Sequence, residues 1–521
     1  MGIPLTITNW LLALAPILLL FFGILVFKWS TFKTGGIGWF VAAALAVCVF
    51  KVSAKGLLIA CSKGLSLSLY VLLIIWAAVF LYNVAAGAGA VTVIGNTMTR
   101  LIKDRTLQCL LLAWCFTSLL QGLAGFGVPI AVVAPIMVMM GFDPLVAVAA
   151  CLVGHSWAIS FGSMGSSYNT IQLVTKIPGE VIGPAMALLF IVPIFITGLS
   201  VLHIHGGFAS VKRGLLPLLL GGVCISGALW GMNKLGMAQL ASLFAAAAGI
   251  IVIFVYARIC ERGKDRLEAG ADAAAPAAGG MSFGVAAVPY IILILFSFVT
   301  QLPAVKSLFS GLVTGLSYPE VTTGLGYKVE AVSMYSKITW ISHPAPALLL
   351  SAFAGYFVYA KKAGARPALL KKAFADTAKK IMPTSVGITT MVMMALIMSD
   401  SGMTNLLARG IALALGAFFP LASPFIGILG SFLTGSNTNS NIMFGLLQYE
   451  TAEVIGKNAI WVAAAQSVGG SIGVSISPST IMMGSANVGL TGEENRVMGK
   501  TLKYCLINAV VLAVVVYLVS M

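Results

Sequence analysis

The stretch "GSFLTGSNTNSNIMFG", Gly430 to Gly445, places eight small and mostly polar residues, Thr434 to Asn441, inside an apolar segment. No charged residue occurs between Ile411 and Tyr449. Glycine gives the backbone conformational freedom, and Ser, Thr and Asn side chains hydrogen-bond to backbone groups nearby. Such a run therefore predicts a turn that is buried in apolar surroundings.

The composition predicts an integral membrane protein. The chain has 521 residues, of which 59% are hydrophobic and 9% charged, whereas soluble domains average about 25% charged residues. Apolar segments of spanning length, about 17–25 residues, recur to the last residue, so one cleaved signal peptide does not explain them. The net charge of +16 comes from short basic loops, which is the positive-inside distribution and argues against nucleic-acid binding. The eight cysteines are scattered without metal-ligand spacing, and no metal or cofactor is expected.

Loop charge orients the chain in the membrane. The most basic loop, 361–380, is placed in the cytoplasm, and the basic, then Ala/Gly-rich segment 257–280 is expected to be a flexible cytoplasmic linker. Alternation between these loops predicts about 12 transmembrane helices with both termini outside, although Lys51, Lys55 and Lys63 then also lie outside. The predicted spans lie near 8–27, 35–53, 64–86, 143–165, 180–206, 214–233, 238–258, 285–303, 344–360, 381–401, 456–480 and 499–520.

Two apolar stretches, 106–141 and 420–450, do not fit this alternation as single spans. Each has a centre of small or polar residues, "QGLAGFGVP" in the first and "TGSNTNSN" in the second. Backbone that is not helical at membrane depth must be satisfied by protein or water. Both stretches are therefore predicted to be re-entrant hairpins.

The two halves of the chain repeat one another. "SLLQGLAGFG" (118–127) aligns with "SFLTGSNTNS" (431–440), and "LVGHSWAISFGSMG" (152–165) aligns with "SVGGSIGVSISPST" (467–480). The charge pattern makes the first hairpin enter from the cytoplasm and the second from outside, so the repeats are inverted. Inverted repeats with broken helices are typical of secondary transporters whose substrate binds near the membrane midplane.

The predicted fold is thus an all-α integral membrane protein of about 12 transmembrane helices and two re-entrant hairpins in two inverted repeats. We expect five segments. Residues 1–105 hold scaffold spans and an arm, 106–206 the first hairpin, a broken helix and the following span, and 207–284 the connecting spans and the cytoplasmic linker. Residues 285–419 hold the second scaffold spans and arm, and 420–521 the second hairpin, a broken helix and the last span.

Hairpin tips and broken helices suggest a site for a small anion. A helix that begins within the membrane directs N–H groups and the positive end of its dipole at the cavity, although Gly and Ser also serve close helix packing. The candidate substrate-binding residues are Gln121, Gly125, Gly127, His155, Ser156, Ser160, Ser436, Asn437, Thr438, Asn439, Ser440, Asn441, Gln466, Ser471 and Ser475.

Ionisable residues within the membrane are candidates for proton coupling. His155 in the first broken span is one, because imidazole titrates near neutral pH; the alternative is a neutral hydrogen-bonded core histidine. Asp400 at the end of a span is another, and its alternative is an ion pair with Arg409. Asp143 precedes Pro144 and is expected to cap a helix.

Two regions resemble the signature regions of the bacterial lactate permease family. The first is "QGLAGFGVPIAVVAPIMVMMGFDP" with the following "GHSWAISFGSMG", and the second is "LTGSNTNSN" with "SVGGSIGVSISPST". The resemblance spans nearly the whole chain. It implies a transporter of the bacterial inner membrane, not an enzyme, that takes up lactate or glycolate with protons. It also implies an elevator mechanism, often in dimers, in which 106–165 and 420–480 form a transport domain that slides against a scaffold.

Three positions depart from the family pattern. Gln121 stands where familiar members have Glu, residues 155–158 (His-Ser-Trp-Ala) replace Asn-Thr-Ala-Pro, and Asn437 replaces Asp. The hypothesis is that His155 takes over the handling of the proton. The alternatives are a different organic anion, such as a sulfo- or larger carboxylate, coupling to sodium, or an anion channel. A membrane enzyme or receptor is disfavoured because the sequence shows no catalytic cluster.

Overall fold

A computed structural model describes residues 3–99, 102–123, 125, 127–261 and 281–521. The first half of the chain is helical and includes a π-helical segment, Leu110–Phe116, and 3-10 turns at Ser156–Ala158 and Ala238–Leu240. Its helices are α1 (Ile7–Leu25), α2 (Thr31–Cys48), α3 (Ala54–Gly87), α4 (Ala90–Thr99), α5 (Arg105–Cys109), α6 (Thr117–Leu123), α7 (Val128–Met139), α8 (Pro144–Gly154), α9 (Gly162–Thr175), α10 (Gly179–Leu189), α11 (Ile191–Lys234) and α12 (Ala241–Glu261).

The second half adds four short strands to the helices, with 3-10 turns at Gly416–Phe418 and Val474–Ile476. Its elements are α13 (Phe283–Gln301), α14 (Pro303–Leu308), β1 (Val313–Tyr318), β2 (Val321–Thr322), β3 (Lys328–Val329), β4 (Val332–Thr339), α15 (Pro344–Ala363), α16 (Ala368–Asp400), α17 (Met403–Leu415), α18 (Phe419–Thr434), α19 (Asn437–Val454), α20 (Ala459–Gly473), α21 (Pro478–Ala486) and α22 (Glu494–Val519).

Ten helices of the described ranges are long and apolar enough to cross a membrane, or eleven if the bent pair α8–α9 counts as one span. The chain is therefore a multi-pass membrane protein, and the count of about 12 stays a prediction. Among the predicted spans, 35–53 corresponds to α2, a shorter apolar helix. The predicted spans 180–206 and 214–233 form α10 and the single long helix α11, which departs from helical geometry at Gly206 and Gly207.

The order of elements is the same in the two halves. A long helix (α3 or α16), a short arm (α4 or α17), a hairpin (α5–α7 or α18–α19) and an interrupted helix (α8–α9 or α20–α21) follow one another in each. Helix pairs occupy both predicted hairpin stretches, and the described residues leave helical geometry at Gly127 in the first and at Gly435 and Ser436 in the second; their re-entry into the membrane stays a prediction. The order agrees with the predicted repeat, and its inversion across the membrane stays a prediction.

The first interrupted helix breaks sharply. α8 and its 3-10 extension meet α9 at 51°, and Ser163, Met164 and Gly165 have φ of 47°, 53° and 74°. For L-residues this left-handed conformation costs about 1–2 kcal/mol each, so the surrounding packing must hold the break in place. The break was predicted, but the span continues to Thr175 rather than ending at residue 165.

Asp143 caps α8, as expected: its Oδ1 accepts a hydrogen bond from the N–H of Val146 at 3.0 Å. Pro144 occupies the first helical position, where its missing N–H is not needed. The second interruption follows the same logic, because Ser477 is extended and Pro478 opens α21.

The expectation of an all-α chain misses residues 313–339. Here β1 pairs with β4 and β2 pairs with β3, both antiparallel. The β-branched and aromatic residues Val332, Tyr335, Ile338 and Thr339 of "VSMYSKIT" are of the types that strands favour. The predicted linker 257–280 also needs correction at its start, since α12 continues to Glu261; residues 262–280 lie outside the described residues.

Candidate functional site

A small polar cavity lies where the second hairpin meets the first interrupted helix. It encloses ≈ 40 Å³, room for about three water molecules. Its lining residues are Gln121, Gly127, Ile130, His155, Ile159, Ser163, Ser166, Ser167, Gly435, Ser436, Asn437, Thr438, Val474 and Thr480.

Helix beginnings surround this cavity. α7 starts after Gly127 and α19 starts after Ser436, and both N-cap residues belong to the lining. The first N–H groups of a helix have no intrahelical partner and carry the positive end of the dipole. None of the described lining residues is Asp, Glu, Lys or Arg, so backbone dipoles and polar side chains set the electrostatics of the cavity.

Asn437 joins the two halves of the site. Its Nδ2 donates to Ser160 Oγ at 2.9 Å, and Ser160 Oγ in turn donates to the carbonyl oxygen of Ser467 at 3.0 Å. The chain of hydrogen bonds thus runs from α19 through the first break to α20. Asn437 is 2% exposed and its Oδ1 has no hydrogen-bond partner among the described residues, so this oxygen can accept a hydrogen bond from a ligand.

A second contact links α19 to α9. The hydroxyls of Thr438 and Ser167 are 3.0 Å apart, and Asn441 Nδ2 donates to the carbonyl oxygen of Ser167 at 3.0 Å. The tip of the second hairpin is therefore attached to the interrupted helix of the other half at several points. "TGSNTNSN" forms this attachment as well as the turn itself.

His155 ends α8 and faces the cavity. Its ring is 2% exposed, and Nδ1 lies 2.6 Å from the carbonyl oxygen of Cys151. A carbonyl only accepts hydrogen bonds, so Nδ1 carries a hydrogen. The other nitrogen, Nε2, is then the atom that gains or loses a proton.

The first hairpin supplies the remaining wall. The N–H of Gly125 donates to Ser163 Oγ at 2.8 Å, which holds the turn against the break. Gly127 has φ 77°, and a Cβ there would lie 2.1 Å from Met483 Sδ. Only glycine fits at this turn.

Nine of the fifteen predicted substrate-binding residues lie outside the cavity lining: Gly125, Ser156, Ser160, Asn439, Ser440, Asn441, Gln466, Ser471 and Ser475. Ser156 and Ser475 donate to backbone carbonyls three residues earlier, which is the local bonding that serine often makes in helices. Two others connect helices: Ser471 donates to the carbonyl oxygen of Ser156 at 2.5 Å, and Gln466 donates to Ser440 and contacts Gln448. Asn439 is buried in α19.

Asp400 does not pair with Arg409. It accepts a hydrogen bond from Lys63 Nζ at 2.8 Å, while Arg409 Nη1 donates to the carbonyl oxygen of Ile3 at 2.9 Å. Asp400 also lies in a different cavity from His155. The two proton-coupling candidates are therefore separate in space.

Four polar lining residues were not predicted: Ser163, Ser166, Ser167 and Thr480. Ser163 and Thr480 lie within the quoted motifs of the interrupted helices, and Ser166 and Ser167 directly follow the first of these motifs. The left-handed turn at 163–165 rotates the following serines toward the cavity, and side-chain spacing assigned on a regular helix does not anticipate this. Among the described residues, no group of three or more His, Cys, Asp or Glu could hold a metal ion.

Comparison with known proteins gives consistent results. The profile of the L-lactate permease family matches residues 9–521. The chain is 29% identical to the L-lactate permease of Streptococcus iniae, covering 87% of this chain and 93% of that protein. It is 28% identical to the L-lactate permease of Bacillus subtilis and to the glycolate permease GlcA of Escherichia coli, each covering 98% of this chain and 95% of the relative. Among solved structures it is similar to the YdaH transporter of Alcanivorax borkumensis (TM-score 0.43, 14% identity, 85% of this chain and 84% of that one).

Proposed function

The chain belongs to the L-lactate permease family, and from this membership we propose that it imports a small hydroxymonocarboxylate by proton symport. It is a transporter and not an enzyme. Lactate and glycolate are the first substrates to consider, because relatives carry these names. The bacterial inner membrane is the proposed location, since these relatives are bacterial.

The observation that carries the proposal is the polar cavity at the beginnings of α7 and α19. A carboxylate placed there accepts hydrogen bonds from the N–H groups of Asn437 and Thr438 at the beginning of α19 and lies at the positive ends of two helix dipoles. The hydroxyls of Ser163, Ser166 and Thr438 supply further donors. Because none of the described lining residues is acidic, no carboxylate among them repels an anion.

The hydroxyl group of the substrate has a matching acceptor. Asn437 uses its Nδ2 on Ser160 and leaves Oδ1 without a partner in the described part of the chain. A 2-hydroxy acid can donate to this oxygen while its carboxylate faces the helix ends. Sites that hydrogen-bond a hydroxyl reject analogues without it strongly, because the buried acceptor is left unpaired.

We assign the proton beside the substrate to His155. With Nδ1 held by Cys151, Nε2 is free to accept a proton, and an imidazolium next to a bound carboxylate gives a neutral pair. Family members that resemble this chain have acids where Gln121 and Asn437 stand here, so coupling through those carboxylates is not available. Sodium coupling and a larger or sulfonated anion are the alternatives that the experiment must separate.

The packing of the hairpins supports a proposal of alternating access. α18, α19 and α20 contact one another, α19 contacts α9, and α3 packs mainly on α16. We propose that the first group, with the first hairpin, moves as an elevator-type transport domain against a scaffold built from α3 and α16. A homodimer formed through the scaffold is part of this proposal.

Transport by the purified protein in liposomes tests the function. With the membrane potential clamped at zero by potassium and valinomycin, an inward proton gradient should drive lactate or glycolate above its external concentration, with saturation. A sodium gradient of the same size, imposed in place of the proton gradient, should not drive this accumulation. Flux that never exceeds equilibrium would indicate a channel, and failure of every hydroxymonocarboxylate would refute the substrate class.

A further inference from the structure

A second, larger cavity lies on the side of the membrane predicted to be outside. It encloses ≈ 420 Å³ between α3, α9, α16, α19 and the strand region. We call it the outer cavity. The charged and titratable groups that line it are Lys63, Lys176, Tyr327, Lys328, Glu330, Tyr335, Asp400, Tyr449, Glu450 and Glu453.

Among these groups, the Glu450 carboxylate forms no ion pair with a described residue. Its Oε2 is buried without a hydrogen-bond partner among the described residues. Lys63 is already engaged with Asp400 at 2.8 Å, and Lys328 with Glu320 at 2.9 Å. Lys176 is exposed to solvent and attracts the Glu450 carboxylate only through its charge, without a hydrogen bond to it. Glu453, on the same helix, adds a repelling charge.

The phenol of Tyr327 contributes no charge either. Burial and then the negative charges of Glu450 and Asp400 raise the pKa of Tyr327 to about 12, so the phenol is neutral at physiological pH. Tyr327 therefore offers Glu450 a hydroxyl group but no compensating positive charge.

Next to Glu450, α19 packs against the scaffold through an apolar seam. Ile442, Met443, Leu446 and Leu447 of α19 meet Met394, Leu396 and Met398 of α16 and Leu407 of α17. Glu450 follows Leu447 by three residues, about 4.5 Å along the helix. A slide of α19 toward the midplane by one turn, about 5.4 Å, brings the Glu450 carboxyl into this seam.

The charge on Glu450 decides whether that slide is permitted. Moving a carboxylate into apolar surroundings without a partner costs several kcal/mol, whereas the neutral acid is a polar group whose burial costs less. Helix α19 carries the proposed substrate site at its asparagine-rich N-terminus and Glu450 near its C-terminus. The two therefore move together as parts of one helix. Protonation at one end therefore controls movement of the site at the other.

We propose that Glu450 is a second proton-binding site, which takes a proton from the outer cavity and carries it across with each carboxylate. This inference rests on the proposed function and deepens it. The proton moves from water in the outer cavity to the Glu450 carboxylate oxygen, stays on the carboxyl group while it passes the apolar seam, and is released to inside water when the transport domain completes its inward movement, with no other bond changed. With His155 loaded as well, two protons cross with one carboxylate.

The test measures the number of protons per carboxylate from the reversal of flux. One pH unit and a tenfold concentration ratio are equal in free energy, about 1.4 kcal/mol each. At zero membrane potential a tenfold outward lactate gradient is balanced by an opposing proton gradient of about half a pH unit for two protons and about one unit for one proton. Liposomes holding the full chain report this balance point directly.

Lactate flux through the wild type should reverse at a proton gradient of about half a pH unit, and flux through Glu450→Gln at about one pH unit. Lactate exchange by the variant should be retained. Glu180→Gln is the control, because Glu180 is exposed in the first turn of α10 on the same side of the membrane. An unchanged balance point in Glu450→Gln overturns the inference while wild-type transport still supports the proposed function. Loss of exchange in Glu450→Gln also overturns it if Glu450→Asp fails to restore exchange, since that pattern indicates a purely structural role.

Discussion

Gly470 on α20 lies directly against Asn437 on α19: a Cβ on Gly470 would be 2.1 Å from Asn437 Oδ1 and 3.1 Å from Ser431 Oγ. This contact holds the Asn437 amide in the position from which Nδ2 reaches Ser160. Position 470 therefore controls the site without being part of its lining.

Gly470→Ala should displace the Asn437 side chain from the cavity. Overpacking of this kind costs about 1–3 kcal/mol, so the KM for lactate should rise roughly 5- to 100-fold while the protein stays folded. Gly227→Ala is the control, because a Cβ on Gly227 of α11 meets nothing within 4 Å. Equal KM values for the two variants would contradict the role of the contact.

His155→Gln should remove one transported proton and keep lactate exchange. Glutamine does not titrate near neutral pH, but its amide can still donate to the Cys151 carbonyl, so the end of α8 should be preserved. The balance point for a tenfold lactate gradient should move from about half a pH unit to about one unit. His203→Gln, whose imidazole contacts the Tyr504 hydroxyl at 2.8 Å, should leave the balance point unchanged, and the same result for His155→Gln would refute the assignment.

Lys63→Met should destabilise the protein by about 3–5 kcal/mol, because it leaves the largely buried Asp400 carboxylate without its partner. Lys63 is 4% exposed, so most of the ion pair is withdrawn from bulk water. The free energy of unfolding by denaturant in detergent micelles measures the change. Lys63→Met combined with Asp400→Leu should recover most of the loss, and a single variant as stable as the wild type would show that the ion pair contributes little.

The features of this fold that depend on local sequence were predictable. The run from Thr434 to Asn441 predicts a turn in apolar surroundings, and the chain turns there at Gly435, with φ 69°, before Asn437 begins α19. The order of hairpins and interrupted helices follows from the same local signals.

Contacts between distant segments were not predictable in this way. Lys63 and Asp400 are 337 residues apart, and loop charge alone placed Lys63 in a position that conflicted with the other loops. Its burial against Asp400 removes Lys63 from the conflict, because a paired lysine at a membrane end does not act as an orienting loop charge, whereas Lys51 and Lys55 are exposed. The serines at 163, 166 and 167 required the left-handed turn, which depends on packing against Gly125 and the first hairpin.

Asn437→Asp should make substrate binding depend on pH. A carboxylate at this position lies in the same small cavity as the substrate carboxylate, and two like charges at this distance cannot both ionise freely. The KM for lactate should rise at least about tenfold, or 1.4 kcal/mol, at pH 8 and recover toward the wild-type value at pH 5, where the new acid is protonated. Asn437→Ala separates charge from lost hydrogen bonding, since its KM should rise equally at both pH values. Parallel pH profiles of the two variants, measured as initial rates of lactate exchange in liposomes, would place the substrate carboxylate outside this cavity.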